Sequence, residues 1–299
     1  MKDHTQDEFN DALNKAWEDI KNDKKPEIDQ PKAYVLGGQP AAGKSGLSKK
    51  IEETFKNNAI TINGDDYRKY HKNYNEFQEK YGQDASKYTG EFAGKMTEAL
   101  IKKASDEKFN LIIEGTFRTV EAPLKTLQGL KDKGYSVNVA IQTCPKELSL
   151  LSTKIRYFTE EHLNKGKGRM TPESHHNLVV DVLGQNAEAI YKTGIAEHFF
   201  VQSRSEVLYD SAITKEPFKA EIINKELNRS AAIEIKETQK AIEKVLPLDV
   251  IKKIFSDNTQ EEKKDMKKEF SERLVKVRGA KANKESQELK QTNDIKQKL

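Results

Sequence analysis

The sequence has 299 residues, of which 33% are charged and 35% hydrophobic, and its formal net charge is +4. This length allows one large domain or two small ones with a sizeable core, and a charge so weak and mixed does not indicate a nucleic-acid binder. The single cysteine, Cys144, excludes an internal disulfide, and we expect it to be a half-buried structural thiol in a reducing compartment. The polar N-terminus lacks a signal-peptide pattern and no apolar run reaches transmembrane length, so we expect a cytoplasmic protein without membrane contact.

The N-terminal segment is predicted to be an amphipathic helix over residues 5–22. Apolar residues recur at helical spacing from Phe9 to Ile20. Thr5 and Glu8 have the spacing of a capping box, which closes the first turn of a helix. This helix either packs on its own domain or offers a partner-binding surface.

Strand and helix patterns then alternate along the chain. Such a βαβα rhythm is typical of an α/β protein with a parallel sheet and helices on both of its faces. The predicted strands are 33–38, 59–64, 109–115, 135–143 and 198–203, and the predicted helices are 45–56, 91–103, 122–133, 148–163 and 172–191.

The strand patterns stop at about residue 216, although helical patterning continues. The last 44 residues contain 21 charged residues, 12 basic and 9 acidic, which predicts a mobile or loosely helical tail. Nearly balanced charge would give this tail only modest attraction to nucleic-acid phosphates. We therefore divide the chain into an N-terminal helix (1–29), a nucleotide-binding domain (30–215), a helical extension (216–255) and a charged tail (256–299).

The stretch GGQPAAGKS follows the first predicted strand and precedes a helix. It fits the phosphate-loop pattern G-x-x-x-x-G-K-[ST], whose backbone N–H groups and helix N-terminus form a cradle for anions. In this pattern the lysine, Lys44, reaches the β- and γ-phosphates, and the hydroxyl of Ser45 ligates Mg²⁺. The motif alone does not separate a kinase from another nucleotide hydrolase or a nucleotide binder. The predicted nucleotide-binding residues are Gly38, Gln39, Pro40, Ala41, Ala42, Gly43, Lys44 and Ser45.

Two aspartates, Asp65 and Asp66, stand at the end of the second predicted strand. Ligands bind beyond the carboxyl ends of strands in sheets of this class, and a hydroxyl that accepts a phosphoryl group needs a carboxylate to take or orient its proton. One of the two is a candidate general base. The alternative is that they only cap the next helix.

The stretch LIIEGTFR ends the third predicted strand. Glu114 follows three apolar residues, where an acid would hold Mg²⁺ through water or contact substrate. Thr116 and Arg118 follow in the loop, where hydroxyl or anion recognition is expected, and the alternative for Arg118 is an ordinary surface salt bridge.

Two further arginines, Arg156 and Arg169, flank the segment YFTEEHLNKGKG. Guanidinium groups supplied from a lid can neutralise the charge of a phosphoryl group in transfer, and the stretch 166–168 is predicted to let such a lid move. The alternative is that both are solvated.

Six elements in this order, GGQPAAGKS, NGDDYRKYH, MTEA, IIEGTFR, IRYFTE and GRMTPESHH, resemble the zeta toxin family of bacterial toxin–antitoxin systems. The resemblance spans about residues 30 to 215 and implies a P-loop kinase fold that uses ATP and Mg²⁺. It implies transfer of the ATP γ-phosphate to the 3′-hydroxyl of the amino sugar in UDP-N-acetylglucosamine or a related UDP-amino sugar, which blocks peptidoglycan synthesis. It also implies neutralisation by an epsilon-type antitoxin, whose helix covers the nucleotide site, in a heterotetramer with a dimeric antitoxin.

The resemblance also implies roles for individual residues. Asp65 matches the catalytic base, whereas Asp66 falls where the family varies. Lys44, Arg156 and Arg169 match the residues that stabilise the transferred phosphate. The acceptor side would be formed by Glu98, Glu114, Thr116, Arg118 and Thr126.

Two other functions are compatible with the sequence. One is a P-loop kinase of a different small hydroxyl compound. The other is a nucleotide-binding interaction protein without turnover, against which the intact Lys44, Asp65, Arg156 and Arg169 argue.

Overall fold

The computed structural model describes residues 4–163 and 168–256. The chain divides into two units, Met1–Val250 and Ile251–Leu299, and the sheet, its helices and the cavities described below belong to the first. The predicted charged tail lies outside the described residues, apart from Ser256, and so do Gly166 and Lys167 of the predicted lid.

One six-stranded sheet organises the first unit. Its strand order is β2-β3-β1-β4-β5-β6, in which the first five strands are parallel and β6 is antiparallel to β5. The strands are β1 (Lys32–Gly37), β2 (Ile60–Asn63), β3 (Leu111–Glu114), β4 (Ser136–Gln142), β5 (His198–Gln202) and β6 (Val207–Asp210). The predicted α/β class with a parallel sheet is confirmed, except for the antiparallel edge strand β6, which the sequence pattern did not indicate.

Helices connect and follow the strands. Their bounds are α1 (Gln6–Lys21), α2 (Lys44–Thr54), α3 (Tyr74–Tyr81), α4 (Ala85–Tyr88), α5 (Gly90–Asp106), α6 (Glu121–Asp132), α7 (Lys146–Leu163), α8 (Glu173–Lys192), α9 (Ala220–Leu227), α10 (Ala232–Ile242) and α11 (Leu248–Ile254), with short 3₁₀ helices at Gly64–Tyr70 and Gly82–Asp84. Helical structure between Gly64 and Tyr88 was not predicted, because this segment has little apolar periodicity.

The predicted N-terminal helix forms α1 and packs on its own domain. Its capping box is present, since the Thr5 hydroxyl accepts from the Glu8 backbone and the Glu8 carboxylate accepts from the Thr5 backbone. Such a cap stabilises a helix by about 1 kcal/mol. Trp17 is 3% exposed and its ring meets Phe109 edge-to-face, so the apolar stripe of α1 belongs to the core.

The sheet divides the core into two layers, because successive strand residues point to opposite faces. Val35 of β1 joins the larger apolar cluster, while its neighbour Leu36 joins a smaller one with Leu47 and Ile51 of α2. Helix α2 is thereby anchored to the face of the strand that precedes it, which fixes the turn between them. No helix within the described ranges is long and apolar enough to cross a lipid bilayer.

The parallel register aligns three strand ends that carry predicted site residues. Glu114 at the end of β3 stands opposite Leu36 of β1 on one side and Asn63 of β2 on the other. The loops after these strands therefore emerge at one edge of the sheet, where ligands bind in folds of this class.

Candidate active site

The phosphate loop connects β1 to α2 and depends on glycine at two positions. Gly38 has φ +143°, and a Cβ there would lie 2.1 Å from the backbone oxygen of Gln142. Gly43 has φ +111° and forms the N-cap of α2. Because only glycine tolerates such an approach and such angles, the loop can press against the end of β4.

The side chain of Gln39 supports this loop from behind. It is fully buried, and its Nε2 donates to the backbone oxygen of Cys144 at 2.7 Å and approaches Ser149 Oγ at 3.4 Å. Ser149 Oγ in turn lies 2.8 Å from Nε2 of the buried His176. Cys144 is only 1% exposed, more buried than predicted, and burial raises the pKa of its thiol.

Lys44 begins α2 and turns back over the loop. Its ammonium donates to the backbone oxygens of Gly38 at 2.7 Å and Gln39 at 3.0 Å. Burial lowers the pKa of the Lys44 ammonium to about 8, against the opposing attraction of the Glu114 carboxylate. A bound triphosphate would supply negative charge to this ammonium and restore its ordinary pKa.

Asp65 lies in the first turn of the 3₁₀ helix after β2 and is held by two arginines. Arg68 Nε donates to its Oδ1 at 3.0 Å, and Arg169 Nη1 lies 3.2 Å from its Oδ2. Burial raises the pKa of the Asp65 carboxyl, but the charges of Arg169 and Arg68 outweigh that effect and leave the pKa below its ordinary value. Asp65 is therefore an ionised carboxylate at neutral pH.

Neither aspartate caps the helix that follows β2. The cap is Asn63, whose side-chain oxygen accepts from the Asp65 backbone N–H. Asp66 is exposed by its surface area, and partial desolvation by the neighbouring protein raises the pKa of its carboxyl. Of the pair, only Asp65 lines the cavity described below.

Arg156 of α7 supplies a further cation. Its Nη2 donates to Thr171 Oγ1 at 3.0 Å, while its Nε is buried with no hydrogen-bond partner among the described residues. Burial lowers the pKa of the guanidinium, and the like charge of Arg169 lowers it further. An anion placed between Arg156 and Arg169 would relieve both effects.

One cavity of about 770 Å³ brings these groups together. Six basic side chains and two acidic ones line it, so its field favours an anion. The predicted residues on its wall are Pro40, Ala41, Gly43, Lys44, Ser45, Asp65, Glu114, Thr116, Arg118, Arg156 and Arg169, and Gly38, Gln39 and Ala42 lie behind that wall.

The loop after β3 is fixed at its centre by Phe117. This buried residue has φ +55°, in the left-handed region that non-glycine residues rarely adopt, and its backbone oxygen accepts from Asn186 at 2.9 Å. A Cβ on Gly37 would lie 2.7 Å from the Phe117 ring. The turn at Phe117 places its neighbours Thr116 and Arg118 on the cavity wall.

A second cavity of about 1060 Å³ adjoins the first. The two share six residues, namely Thr97, Glu114, Gly115, Thr116, Arg118 and His175. Glu98 and Thr126 line this second cavity but not the first. The Glu98 side chain is 77% exposed and lies 3.9 Å from Lys125, and Thr126 Oγ1 donates to the backbone of its own helix.

The residues beside the loop fit Mg²⁺. This ion prefers oxygen ligands and keeps several waters, with one or two protein ligands and substrate phosphates completing its shell. Ser45 offers an exposed hydroxyl at the start of α2, and Glu114 offers a carboxylate whose Oε1 accepts from Ser48. No cluster of three or more metal-binding side chains exists among the described residues, and a phosphate-bound Mg²⁺ does not require one.

Comparisons with known proteins decide the family. The sequence profile of the Zeta toxin family matches residues 14–214. The chain belongs to the zeta toxin family. Toxin PezT of Streptococcus pneumoniae serotype 4 is 41% identical over 212 residues, covering 71% of this chain and 83% of the relative. Toxin zeta of Streptococcus pyogenes is 36% identical over 242 residues, covering 81% of this chain and 83% of the relative.

A solved structure from the zeta toxin family has the same fold. It is described as the PezAT chromosomal toxin–antitoxin system of Streptococcus pneumoniae, and it matches with a TM-score of 0.71 at 34% identity. The match covers 81% of this chain and 96% of that chain. The predicted resemblance is thus confirmed at the level of family and P-loop fold, while the roles of single residues stay predictions.

Three residues of this zeta toxin family site were not predicted. Arg68 had a readable signal, since it stands one helical turn after Asp65. His175 lines both cavities, and burial lowers the pKa of its imidazole. Arg204 contacts the phosphate loop from the turn after β5. The sequence around Arg204 contains no pattern that predicts this contact.

Proposed function

We propose that this chain is a toxin kinase that transfers the γ-phosphate of ATP to the 3′-hydroxyl of the amino sugar in UDP-N-acetylglucosamine or a related UDP-amino sugar. The observation that carries this proposal is the position of Asp65. It is an ionised carboxylate on the wall of a cation-lined cavity, which also contains the phosphate loop and opens into a second, larger cavity.

The donor nucleotide is assigned to the phosphate loop. The N–H groups of the loop and the N-terminus of α2 would hold the phosphates, and Lys44 would exchange its contacts with Gly38 and Gln39 for the β- and γ-phosphate oxygens. Ser45 and Glu114 would hold Mg²⁺, which neutralises phosphate charge when bound.

The transfer step needs a base, an acceptor oxygen and a leaving group. Asp65 takes the proton of the sugar hydroxyl as that oxygen forms a bond to the γ-phosphorus, and the bond from phosphorus to the β–γ bridging oxygen breaks to release ADP. Arg156 and Arg169 stabilise the negative charge that spreads over the transferred oxygens.

The ion pair of Arg169 with Asp65 links donor binding to this base. In the free protein Arg169 lies 3.2 Å from the Asp65 carboxylate. A γ-phosphate in the cavity competes for the same guanidinium and draws it away from Asp65. Loss of that positive charge raises the pKa of the carboxyl, which makes Asp65 a stronger base when ATP is in place.

The acceptor is assigned to the second cavity. Glu98 and Thr126 would contact the sugar nucleotide from α5 and α6, and Glu114, Thr116 and Arg118 would contact it from the loop after β3. Arg118 and Lys125 of this cavity could contact the diphosphate of such an acceptor, whereas Lys102 and Lys133 both pair with Asp106.

The proposed partner is an epsilon-type antitoxin. The relative with the matching fold comes from a structure described as a toxin–antitoxin system. An antitoxin helix that covers the nucleotide site, in a heterotetramer built on an antitoxin dimer, would keep the kinase inactive. ATP and the UDP-amino sugar place the proposed reaction in the cytoplasm.

Mass spectrometry of the protein incubated with Mg-ATP and UDP-N-acetylglucosamine tests the reaction. We expect the sugar nucleotide to gain one phosphate with the wild type and with Asp66→Asn, but not with Asp65→Asn, which still binds ATP. Transfer by Asp65→Asn would move the role of base to Asp66 or Glu98. Bound ATP without any transfer by the wild type would contradict this acceptor and direct the search to other hydroxyl compounds.

A further inference from the structure

Arg204 connects the turn after β5 to the phosphate loop. Its Nη2 donates to the backbone oxygen of Ala41 at 2.7 Å, and its Nε lies 3.2 Å from the backbone oxygen of Ala42. Nη2 also lies 3.0 Å from Ser152 Oγ of α7, the helix that carries Arg156. One side chain thus joins three separate elements of the site.

The two carbonyl groups share their peptide planes with the N–H groups of Ala42 and Gly43, in the phosphate loop. In a trans peptide the C=O and N–H point in opposite directions. Since Arg204 holds the oxygens of Ala41 and Ala42, the N–H groups of Ala42 and Gly43 point away from Arg204. The Ala42 N–H meets the backbone oxygen of Gln39 at 3.2 Å, which tightens the turn.

The loop conformation that Arg204 holds is a costly one. Ala41 has φ +57°, in the left-handed region, which costs a residue with a Cβ on the order of 1–2 kcal/mol. The contact from Arg204 to the Ala41 oxygen offsets that cost, because hydrogen bonds to a charged donor are stronger than neutral ones. Without it, the peptide between Ala41 and Ala42 would keep the 3.2 Å contact of its N–H with Gln39 but lose the charged contact to its oxygen.

The turn that presents Arg204 is itself well fixed. Ser203 Oγ accepts from the backbone N–H groups of Ser205 at 3.2 Å and Glu206 at 3.0 Å. Gln202, at the end of β5, donates to the Gln142 side chain of β4 at 2.6 Å. Arg204 therefore acts from a rigid support, although its own side chain is exposed.

We infer that Arg204 is a positioning residue that keeps the phosphate loop in its anion-binding conformation before the nucleotide arrives. It acts on the phosphates through the peptides of Ala41 and Ala42. This inference rests on the proposed binding of ATP by the loop, and it adds to that proposal a residue far away in sequence that sets donor affinity.

Calorimetric titration of Mg-ATP, without acceptor, into the wild type and three variants tests this role. For Arg204→Met we expect the Kd to rise about 20-fold, since two charge-assisted hydrogen bonds are lost, and kcat at saturating ATP to fall less than about threefold. Arg204→Lys keeps the positive charge but loses the guanidinium group that donates to both carbonyl oxygens. Its Kd for Mg-ATP should therefore lie between those of the wild type and Arg204→Met. Lys192→Met is the control for loss of a paired cation, because Lys192 pairs with Glu188 at the C-terminal end of α8, just before β5 begins, and its Kd should equal that of the wild type.

Ala41→Gly separates positioning from a merely structural effect. Glycine removes the cost of the left-handed angle, so Ala41→Gly should recover about threefold or more in affinity in the Arg204→Met background and little in the wild type. A Kd for Arg204→Met and Arg204→Lys within about twofold of the wild type would overturn the inference, as would equal effects of Ala41→Gly in both backgrounds. Absence of ATP binding by the wild type would instead overturn the proposed function.

Discussion

The donor and acceptor halves of the site differ in how their side chains are held. On the donor side, Gln39 is fully buried, Lys44 is bonded to two loop carbonyls, and Asp65 pairs with two arginines. On the acceptor side, Glu98 is 77% exposed and Arg118 forms no ion pair with any described residue.

This difference predicts that the donor side contributes mainly to affinity for the nucleotide and the acceptor side mainly to selectivity among acceptors. A donor side whose groups are already in place loses little conformational freedom when the phosphates bind. Exposed side chains on the acceptor side lose conformational entropy when a ligand orders them. Only a ligand that contacts several of them offsets this loss. Under the proposed function, the choice of acceptor therefore depends on the side chains that are least restrained in the free protein.

The largest expected effect is on the donor side. Lys44→Met removes the ammonium at the phosphates, and we expect transfer to fall by about 10³-fold or more and toxicity in an inducible host to disappear. ADP release in a coupled assay measures the loss. Full toxicity in this variant would contradict the kinase mechanism.

Donor affinity should also depend on pH through the same residue. The pKa of Lys44 is about 8 in the free protein and is raised by bound phosphates, so binding takes up a proton above about pH 8. Affinity for ATP should then fall about fivefold between pH 8 and 9, measured by titration calorimetry. Lys44→Met should show weak binding with a flat profile, and a flat profile in the wild type would refute the linkage.

Substitutions on the acceptor side should change the KM for the sugar nucleotide rather than the Kd for ATP. Glu98→Gln removes a charged hydrogen-bond acceptor, and we expect the KM for the sugar nucleotide to rise about fivefold with an unchanged Kd for ATP. Glu121→Gln is the matched control, since Glu121 lines the same cavity without an assigned contact. A parallel rise in the Kd for ATP would mean that the two halves are not independent.

The smallest effect is expected at Asp66, which lines neither of the two cavities. Asp66 is exposed and lies outside the donor cavity, so Asp66→Asn should change kcat and both substrate constants by less than about twofold. Steady-state kinetics measures all three. A loss comparable to that of Asp65→Asn would mean that Asp65 is not the only candidate for the base and that Asp66 takes part in proton transfer.

The sequence predicted the donor side more fully than the acceptor side, for a physical reason. The phosphate loop is contiguous in sequence. Gly38 and Gly43 are required there locally, because both have positive φ angles and Gly38 lies against the backbone of Gln142. Arg204 reaches the same loop from the turn after β5, and only the folded sheet brings the two together. Glu98 and Thr126 were assigned by resemblance alone, and no local pattern at either residue indicates a ligand.

Strand β6 and the helices between Gly64 and Tyr88 were also not predicted, because they too depend on contacts made only in the folded protein. The short β6 exists because β5 offers it an unpaired edge, which is a tertiary cause. The segment after Asp65 is helical through contacts of its aromatic rings, such as the stacking of Tyr81 on Tyr88 at 3.9 Å, rather than through a repeating apolar stripe.

The buried turn at Phe117 bears on how this enzyme can change over evolutionary time. Its ring packs against Gly37, at the base of the phosphate loop, and its backbone is tied to α8 through Asn186. The residues on either side of it can therefore be exchanged without disturbing the phosphate loop. Under the proposed function, altering Thr116 or Arg118 would change the acceptor while the residues that bind ATP are inherited unchanged.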